Sequence, residues 1–306
     1  MAPFQAREPR SDRPQRVGHP RDYAPAGHRS GFVTLVGRPN VGKSTLLNAL
    51  LGQKVTIVSD KPQTTRTQVR GVLTRPDVQA VFCDTPGIHK PRTLLGRRLN
   101  DTARSALSDM DVVLFLVEAN APIGRGDRFI AGQLHSGHTV LVLNKVDRVG
   151  SSQVLAQLAE AAKFGFDEYF PVSATSGEGV AGLCDHVLGR LPDGPRYYPD
   201  DMVTDVPEAF WVAELVREQL LTEVREEVPH SLATRVTEWK WPLIRCEILV
   251  ERDSQKGIVI GRKGEVLKRV GTRVREQLPD GAFLELVVRV DKDWQRRPRS
   301  LDRLGY

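Results

Sequence analysis

The sequence has little cysteine and no long apolar segment. Its 306 residues include only three cysteines, Cys83, Cys184 and Cys246, which are too few and too widely spaced for a disulfide framework or a CxxC metal site. The longest uninterrupted apolar candidate, Val112–Val117, has six residues, whereas a membrane-spanning helix needs about 20. These absences exclude a disulfide-stapled secreted domain and a helical transmembrane protein, and they favour a cytoplasmic chain.

The first thirty residues also lack the apolar stretch that forms the centre of a secretory signal. They contain five prolines and six arginines instead. We expect residues 1–30 to form a disordered basic tail, and contact with nucleic acid through its arginines is the alternative.

Short apolar runs alternate with helical patterns between Gly31 and Leu191. The runs predict buried strands at Phe32–Val36, Val78–Phe82, Asp111–Val117, Thr139–Leu143 and Tyr169–Val172. Helix candidates lie between them, at Lys43–Leu51, Leu95–Asp109 and Ser152–Phe164. This alternation indicates an α/β domain over residues 31–191, whose mainly parallel sheet is covered on both faces. An antiparallel edge strand is expected beside Val78–Phe82, from either Val55–Ile57 or Thr67–Thr74.

The charge balance changes twice in the last third of the chain. Residues 192–230 begin with a Pro- and Gly-rich stretch and carry ten acidic against three basic side chains, which predicts a linker followed by an acidic helix with a solvated face. From Lys240 to the end, sixteen basic side chains oppose ten acidic ones. Residues 231–306 are therefore expected to form a separate, smaller basic module with strands at Leu243–Glu251 and Phe283–Val290 around a helix at Gly264–Leu278.

A phosphate-binding loop is predicted directly after the first strand. The segment Gly37-Arg-Pro-Asn-Val-Gly42-Lys43-Ser44 has the GxxxxGK[ST] spacing and opens a helix. Its glycines allow successive N–H groups to face a phosphate, and the helix N-terminus adds a positive dipole end. Lys43 is expected to reach the β- and γ-phosphates, and the Ser44 hydroxyl is expected to bind Mg²⁺.

A second motif, Asp84-Thr-Pro-Gly87, ends another apolar strand. Asp84 can hold Mg²⁺ through a water molecule, and the Gly87 N–H can meet a γ-phosphate oxygen. A simple Asx or proline turn is the alternative interpretation of this motif taken alone.

Two further motifs predict recognition of guanine. Asp147, in Asn144-Lys-Val-Asp147, can accept hydrogen bonds from guanine N1–H and N2–H, a pair that adenine does not offer. The stem of Lys145 can lie over the base. The other motif, Ser173-Ala174-Thr175, follows another strand, and its Ala174 N–H can meet guanine O6. The full predicted nucleotide site is Asn40, Val41, Gly42, Lys43, Ser44, Thr45, Asp84, Gly87, Asn144, Lys145, Asp147, Ser173 and Ala174.

All four motifs follow strands, at the edge where ligands bind in open α/β sheets. Their order resembles that of translation-factor-like P-loop GTPases, which implies GTP or GDP and Mg²⁺ as ligands. The resemblance places the switch I threonine at Thr65, with Thr64 as the alternative, so that Ser44, Thr65 and Asp84 form the Mg²⁺ site. Lys43 and Thr65 are the candidates for transition-state and switch roles, and no catalytic base is assigned.

The residue after the Asp84–Gly87 motif is Ile88, where Ras-like enzymes carry a glutamine that orients the attacking water. Slow intrinsic hydrolysis is therefore expected, with acceleration by a partner or a monovalent cation. Asn40 makes K⁺ a candidate, since an asparagine at this loop position helps to hold the ion in potassium-assisted relatives.

A second binding motif lies in the basic module. Gly261-Arg-Lys-Gly264 is a GxxG loop flanked by apolar residues and followed by a helix, as in KH domains, where such a loop clamps about four nucleotides of single-stranded RNA. A strand-to-helix turn with exposed charges is the alternative. The predicted RNA-binding residues are Lys256, Ile258, Ile260, Gly261, Arg262, Lys263, Gly264 and Lys268.

A GTPase domain followed by such a module resembles the Era family of bacterial ribosome-assembly GTPases. The similarity includes the segments GRPNVGKSTLLN, KPQTTR, DTPGIHKP, NKVD, SAT, ERDSQKGIVIGRKG and LDRLGY. It implies a P-loop GTPase domain followed by an α+β type II KH domain, which binds 16S rRNA near its 3′ end and assists assembly of the 30S ribosomal subunit. It also implies peripheral association with the inner membrane.

We expect a monomer that binds RNA and not DNA. Two other functions stay open at this point: a membrane-associated signalling GTPase, and an RNA-binding structural factor that uses GTP only for stability.

Overall fold

The computed structural model describes residues 27–88, 91, 93–105, 107 and 110–306. The expected N-terminal tail lies outside the described residues except for 27–30. Within the described part of the chain, no helix is both long and apolar enough to cross a membrane.

The first unit contains a six-stranded sheet in the order β2-β3-β1-β4-β5-β6. The strands are β1 (Arg29–Gly37), β2 (Val69–Arg75), β3 (Val78–Asp84), β4 (Val112–Glu118), β5 (Thr139–Asn144) and β6 (Glu168–Pro171). All neighbours are parallel except β2, which runs antiparallel to β3 at the edge. The mainly parallel α/β sheet is thereby confirmed, and the edge strand comes from the second of the two predicted segments. Val55 forms no strand because its N–H is held by the Asn48 side chain, at 2.9 Å.

Helices cover both faces of this sheet. They are α1 (Lys43–Leu51), α2 (Leu94–Ser105), α3 (Arg125–Ala131), α4 (Ser151–Ala161) and α5 (Val180–Gly189). One core joins β1 residues such as Leu35 to α1 and α5, and the other joins Val36 and Phe115 to α2, α3 and α4. Because side chains alternate along a strand, successive β1 residues enter opposite cores.

The predicted linker lies against the first unit. The Ser30 N–H donates to the Pro192 carbonyl oxygen at 2.9 Å, and the N–H groups of Tyr197 and Tyr198 donate to Gln79 Oε1 at 2.7 and 3.0 Å. These contacts hold the segment against the first unit. The Pro- and Gly-rich stretch is therefore an ordered connection between the two units.

The second unit is built on a three-stranded sheet in the order β7-β8-β9. Its elements are α6 (Glu208–Glu223), α7 (Val228–Ser231), β7 (Ala233–Lys240), β8 (Leu243–Val250), α8 (Asp253–Ile260), α9 (Glu265–Arg275), β9 (Phe283–Val290) and α10 (Pro298–Leu304). β7 and β8 are antiparallel, and β8 and β9 are parallel. This is the α+β arrangement that the KH resemblance implies.

The acidic helix α6 was expected to have a solvated face, but it is largely buried. Leu215, Val216 and Leu220 are buried in one core with Ile248 of β8 and Val270 of α9. The acidic composition misleads here because two of the charged residues, Arg217 and Glu218, are buried themselves. Helix α6 therefore packs as part of the C-terminal unit, here defined as residues 208–306.

Candidate nucleotide site and RNA interface

The segment after β1 folds as a tight loop that leads directly into α1. Gly42, with φ of 97°, is in a left-handed conformation, and a Cβ there would lie 2.3 Å from Asn144 Nδ2. A Cβ on Gly37 would lie 2.7 Å from the Leu116 carbonyl oxygen. Because α1 begins at Lys43, its first N–H groups and its dipole end face the loop. These close contacts leave room only for glycine at positions 37 and 42. The resulting loop exposes backbone N–H groups in an arrangement suited to bind phosphate.

Lys43 lies across this loop. It is 6% exposed, and its Nζ donates to the carbonyl oxygens of Gly37 and Arg38 at 3.3 and 3.1 Å. Burial lowers the pKa of the Lys43 ammonium to about 8, and attraction to Asp84 opposes the shift. A desolvated cation in this position gains most from an anionic partner, which the phosphates of a nucleotide would provide.

Asp84 gathers the hydroxyl groups of the predicted Mg²⁺ site. Its fully buried Oδ2 accepts hydrogen bonds from Ser44 Oγ at 2.7 Å, Thr65 Oγ1 at 3.0 Å and Thr56 Oγ1 at 3.2 Å. Burial raises the pKa of the carboxyl group, and Lys43 opposes this. The other oxygen, Oδ1, has no hydrogen-bond partner. Mg²⁺ prefers oxygen ligands, and this unsatisfied buried carboxylate oxygen lies beside the hydroxyls of Ser44 and Thr65. The residues of the predicted site therefore fit the ion.

The structure distinguishes the two switch I threonines. Thr65 Oγ1 lies 3.0 Å from both Ser44 Oγ and Asp84 Oδ2, whereas Thr64 Oγ1 donates to the Lys61 carbonyl oxygen at 2.7 Å. Thr65 therefore lies at the centre, and Thr64 closes a turn. Thr56 was not predicted, because it belongs to no recognisable motif.

Asn144 joins three of the predicted segments. Its Nδ2 donates to the Val41 carbonyl oxygen at 2.8 Å, and its Oδ1 accepts from the Ala174 N–H at 3.1 Å. The Ala174 N–H, expected at guanine O6, is directed to Asn144 here, so its contact with the base stays a prediction. Ser173, also buried, accepts from the Ser176 N–H at 3.1 Å and shapes the same loop.

The groups predicted to meet the base lie beside this junction. Lys145 has φ of 67°, and its Nζ donates to the Asn40 carbonyl oxygen at 2.6 Å, so its stem runs towards the phosphate loop. Asp147 is exposed. This leaves the Asp147 carboxylate accessible to a ligand, as recognition of guanine requires. Thr45 follows Ser44 on the first turn of α1.

At the described start of switch II (Gly87–Pro91), which consists of Gly87 and Ile88, no side chain can orient water. Ile88 is 6% exposed and packs in the core with Val36 and Ala103. A Cβ on Gly87 would lie 2.9 Å from Pro39 N, which explains the glycine. His89, the next residue, is expected to be a switch residue without a catalytic role, and it lies outside the described residues.

Switch I, here Lys61–Arg66, is attached to the C-terminal unit through Arg66. This side chain is 3% exposed, and its guanidinium lies over the rings of Trp294 and Tyr306, 5.7 and 6.0 Å from their centroids. It donates to three carbonyl oxygens, those of Leu232 at 2.6 Å and of Pro229 and His230 at 3.4 Å. The residue next to Thr65, the threonine predicted to belong to the Mg²⁺ site, is thus bound by the other unit.

Helix α6 holds the same region from a second side. Arg217, which has no exposed surface, donates to the Thr64 carbonyl oxygen and to Glu214. Glu218 Oε1 accepts from the Val58 N–H at 2.9 Å, and its other oxygen is paired with Lys54. The sequence does not mark Arg66, Arg217 and Glu218, because their partners across the interface lie in the other unit and no local spacing identifies them.

The GxxG loop connects α8 to α9 in the conformation that its glycines permit. Gly261, Lys263 and Gly264 have φ of 74°, 52° and 82°. A Cβ on Gly261 would lie 2.6 Å from Val266 Cγ2, so this glycine is required by both conformation and space. The backbone is therefore open to close approach by a phosphate.

The surface of this loop is basic. Arg262, Lys263 and Lys268 are exposed, and Lys256 is half-buried. Ile258 is 51% exposed beside them, whereas Ile260 packs partly against the core. Arg269 is bound to Glu223, so it contributes less free charge than its neighbours. The structure thus brings together the charged and apolar groups predicted to contact RNA.

Comparison with known proteins finds a GTPase domain and a KH domain in this chain. A family described as 50S ribosome-binding GTPase matches residues 32–145, and the KH domain family matches residues 227–295. A protein named GTPase Era from Nocardioides sp. is 47% identical over 302 residues, covering 91% of this chain and 96% of the relative. Another from Mycolicibacterium smegmatis is 48% identical over 295 residues, covering 91% and 99%.

Two solved structures are similar over the same extent. A crystal structure of Era in complex with MgGDPNP and nucleotides 1506–1542 of 16S ribosomal RNA has a TM-score of 0.87 at 38% identity, covering 91% of this chain and 99% of that one. An Aquifex aeolicus Era variant bound to GDP·AlF4⁻ has a TM-score of 0.86 at 38% identity and the same coverage. With a GTPase domain, a KH domain and relatives of this identity along nine-tenths of its length, the chain belongs to the Era family of GTPases.

Proposed function

We propose that this GTPase is a molecular switch that binds 16S rRNA near its 3′ end and assists assembly of the 30S subunit in the cytoplasm. The relative whose crystal structure contains nucleotides 1506–1542 of 16S rRNA supports the choice of RNA. The GxxG loop, with its exposed Arg262 and Lys263, supports the contact with single-stranded backbone. We propose that the chain acts as a monomer. Membrane association has no specific support among the described residues.

One observation carries the switch proposal: the C-terminal unit holds switch I beside the Mg²⁺-site threonine. Thr65 touches Asp84, and its neighbours on either side are bound by Arg217 and through Arg66. A movement of Thr65 when the γ-phosphate is lost must therefore change contacts with the RNA-binding unit. GTP can shift the arrangement of the two units only through such a difference in contacts.

The residues of the nucleotide site have distinct roles in this proposal. Ser44, Thr65 and Asp84 would hold Mg²⁺, which neutralises charge on the β- and γ-phosphate oxygens when bound. Lys43 places a desolvated positive charge beside the same oxygens. Asp147 selects guanine.

The RNA contact is tested by Lys263→Ala. The side chain is exposed, so the variant should fold normally and keep its GTP affinity. We expect its affinity for a labelled oligonucleotide from the 3′ end of 16S rRNA to fall about tenfold, because a phosphate contact is worth on the order of 1–2 kcal/mol. Arg125→Ala, on α3 of the GTPase domain, is the matched control. An unchanged RNA affinity, or a loss confined to GTP binding, would contradict the proposal that the GxxG loop binds RNA and the GTPase domain binds GTP.

Potassium is proposed as a second cation of the site. Asn40 Nδ2 donates to the Asp60 carbonyl oxygen at 2.6 Å, so this loop residue already connects the phosphate loop to the segment before switch I. We expect hydrolysis to be at least about tenfold faster in K⁺ than in Na⁺ at equal ionic strength, since a well-placed cation lowers the barrier by more than about 1.4 kcal/mol. Asn40→Ala should remove the difference between the salts. Equal rates in both salts for the unmodified chain would exclude this role.

A further inference from the structure

A recess lies on the sheet face of the C-terminal unit that points away from the GxxG loop. Along β8, Cys246 and Ile248 enter the core beneath α8 and α9, whereas Glu247 and Leu249 point to the opposite face. On that face β7, β8, β9 and α10 border a cavity of about 510 Å³. Five arginines line it: Arg235, Arg289, Arg297, Arg299 and Arg303. We call this recess the arginine cavity.

Two carboxylates fix these arginines without neutralising them. Glu247, which is 4% exposed, is bound by Arg235 and by Arg289 at 2.6 and 2.8 Å. Asp291 is bound in the same way by Arg297 and by Arg303. Each carboxylate thus serves two guanidiniums, and exposed Arg299 adds a fifth. The cavity therefore holds an excess of three positive charges, and its guanidinium groups keep N–H donors that two carboxylates cannot satisfy.

We propose that the arginine cavity is a second RNA contact, which binds backbone phosphates of a strand whose neighbouring nucleotides occupy the GxxG loop. This inference rests on the proposed function. The GxxG loop clamps only about four nucleotides, so a longer RNA must continue beyond it. Strand β9 is at the edge of the sheet, so a nucleic acid strand can pass around it from one face to the other.

The chemistry of the cavity favours RNA over an anionic membrane. Guanidinium groups bind phosphate bidentately, and their geometry here is fixed from below by buried Glu247 and half-buried Asp291. The site is a recess, which suits single phosphates better than a flat lipid surface. Its apolar lining residues are Leu249, which is 2% exposed, and half-buried Val290, and the exposed large hydrophobic side chains of this unit, such as Trp241 and Phe283, do not line it.

The test uses a double variant, Arg289→Gln with Arg299→Gln. Arg289 is exposed at 70% of its side chain, and Glu247 keeps Arg235 when it is removed. The matched control is Arg104→Gln with Arg125→Gln, two exposed arginines of the GTPase domain. Both proteins are measured with a single-stranded RNA of about six nucleotides, which covers the GxxG loop alone, and with the same RNA extended at each end.

We expect the cavity variant to bind the short RNA like the control and the extended RNA about tenfold more weakly. The slope of log K against log salt for the extended RNA should fall by roughly 1.4, the loss of two single-strand phosphate contacts. An unchanged affinity and slope would overturn the inference, as would a loss of binding to phosphatidylglycerol vesicles without any loss for RNA. If the unmodified chain fails to bind the short RNA, the proposed function itself is wrong. If it binds both RNAs equally, only the second contact is wrong.

Discussion

Replacement of Asp147 by asparagine is expected to lower GTP affinity about 10³-fold, because it removes two charge-assisted hydrogen bonds of about 2 kcal/mol each to guanine N1–H and N2–H. The asparagine amide would also place a donor opposite guanine donors. Asp147 is exposed at the end of the site, so this substitution leaves the core unchanged. Equilibrium binding of a fluorescent GTP analogue measures the effect.

Xanthosine triphosphate provides the control for Asp147→Asn. Xanthine has a carbonyl where guanine has its amino group, so it can accept from an asparagine amide and still donate from N1–H. We expect the variant to bind this nucleotide more tightly than GTP, which a misfolded protein would not do. If the variant kept its preference for GTP, Asp147 would not be the residue that reads guanine.

Replacement of Arg66 by alanine is expected to separate the two units functionally. The change removes the guanidinium donors to the carbonyl oxygens of Leu232, Pro229 and His230, of which His230 keeps Gln295 Nε2 at 2.8 Å, and it leaves space against Trp294. Loss of these buried contacts should cost about 3 kcal/mol of unfolding free energy, measured by denaturant titration. GTP affinity should stay within about twofold, because the guanidinium points to the C-terminal unit and not to the phosphate loop.

Two further variants test whether the effect of Arg66→Ala comes from its contacts with the C-terminal unit. Arg66→Lys keeps the charge, but its single ammonium cannot reproduce three carbonyl contacts and two ring faces, so an intermediate loss is expected. Arg75→Ala removes a surface pair with Asp185, whose side chains are 46% and 66% exposed, and should change little. If Arg66→Ala were as stable as Arg75→Ala, the interface would not depend on this residue.

The bounds of helices and strands are predicted most accurately where a local sequence pattern defines them. Helix α1 was predicted at its observed bounds, Lys43–Leu51, because the phosphate-loop motif fixes its start and Gly52 its end. Strand β9 was likewise predicted at Phe283–Val290 from its apolar run. The helix predicted at Leu95–Asp109 is observed at Leu94–Ser105, and residues 106, 108 and 109 of the predicted range lie outside the described residues.

The contacts between the units could not be predicted in this way. Arg217 lies on a helix rich in acidic residues, where a solvated face is the ordinary interpretation, yet it is fully buried against switch I. Its partner, the Thr64 carbonyl oxygen, is 153 residues away along the chain and carries no side-chain signature. The sequence therefore predicts the two sites separately, and only the structure shows the contacts between the two units.

Control of RNA binding by the nucleotide, acting through switch I, is the core of the proposed function. It is tested most directly by the affinity of the unmodified chain for a labelled 3′-terminal 16S rRNA oligonucleotide, measured at fixed salt with a non-hydrolysable GTP analogue and with GDP. We predict binding at least about tenfold tighter with the GTP analogue, a coupling free energy of about 1.4 kcal/mol, and loss of that difference in Arg66→Ala. Equal affinities of the unmodified chain in the two nucleotide states would contradict the account and leave two independent modules on one chain.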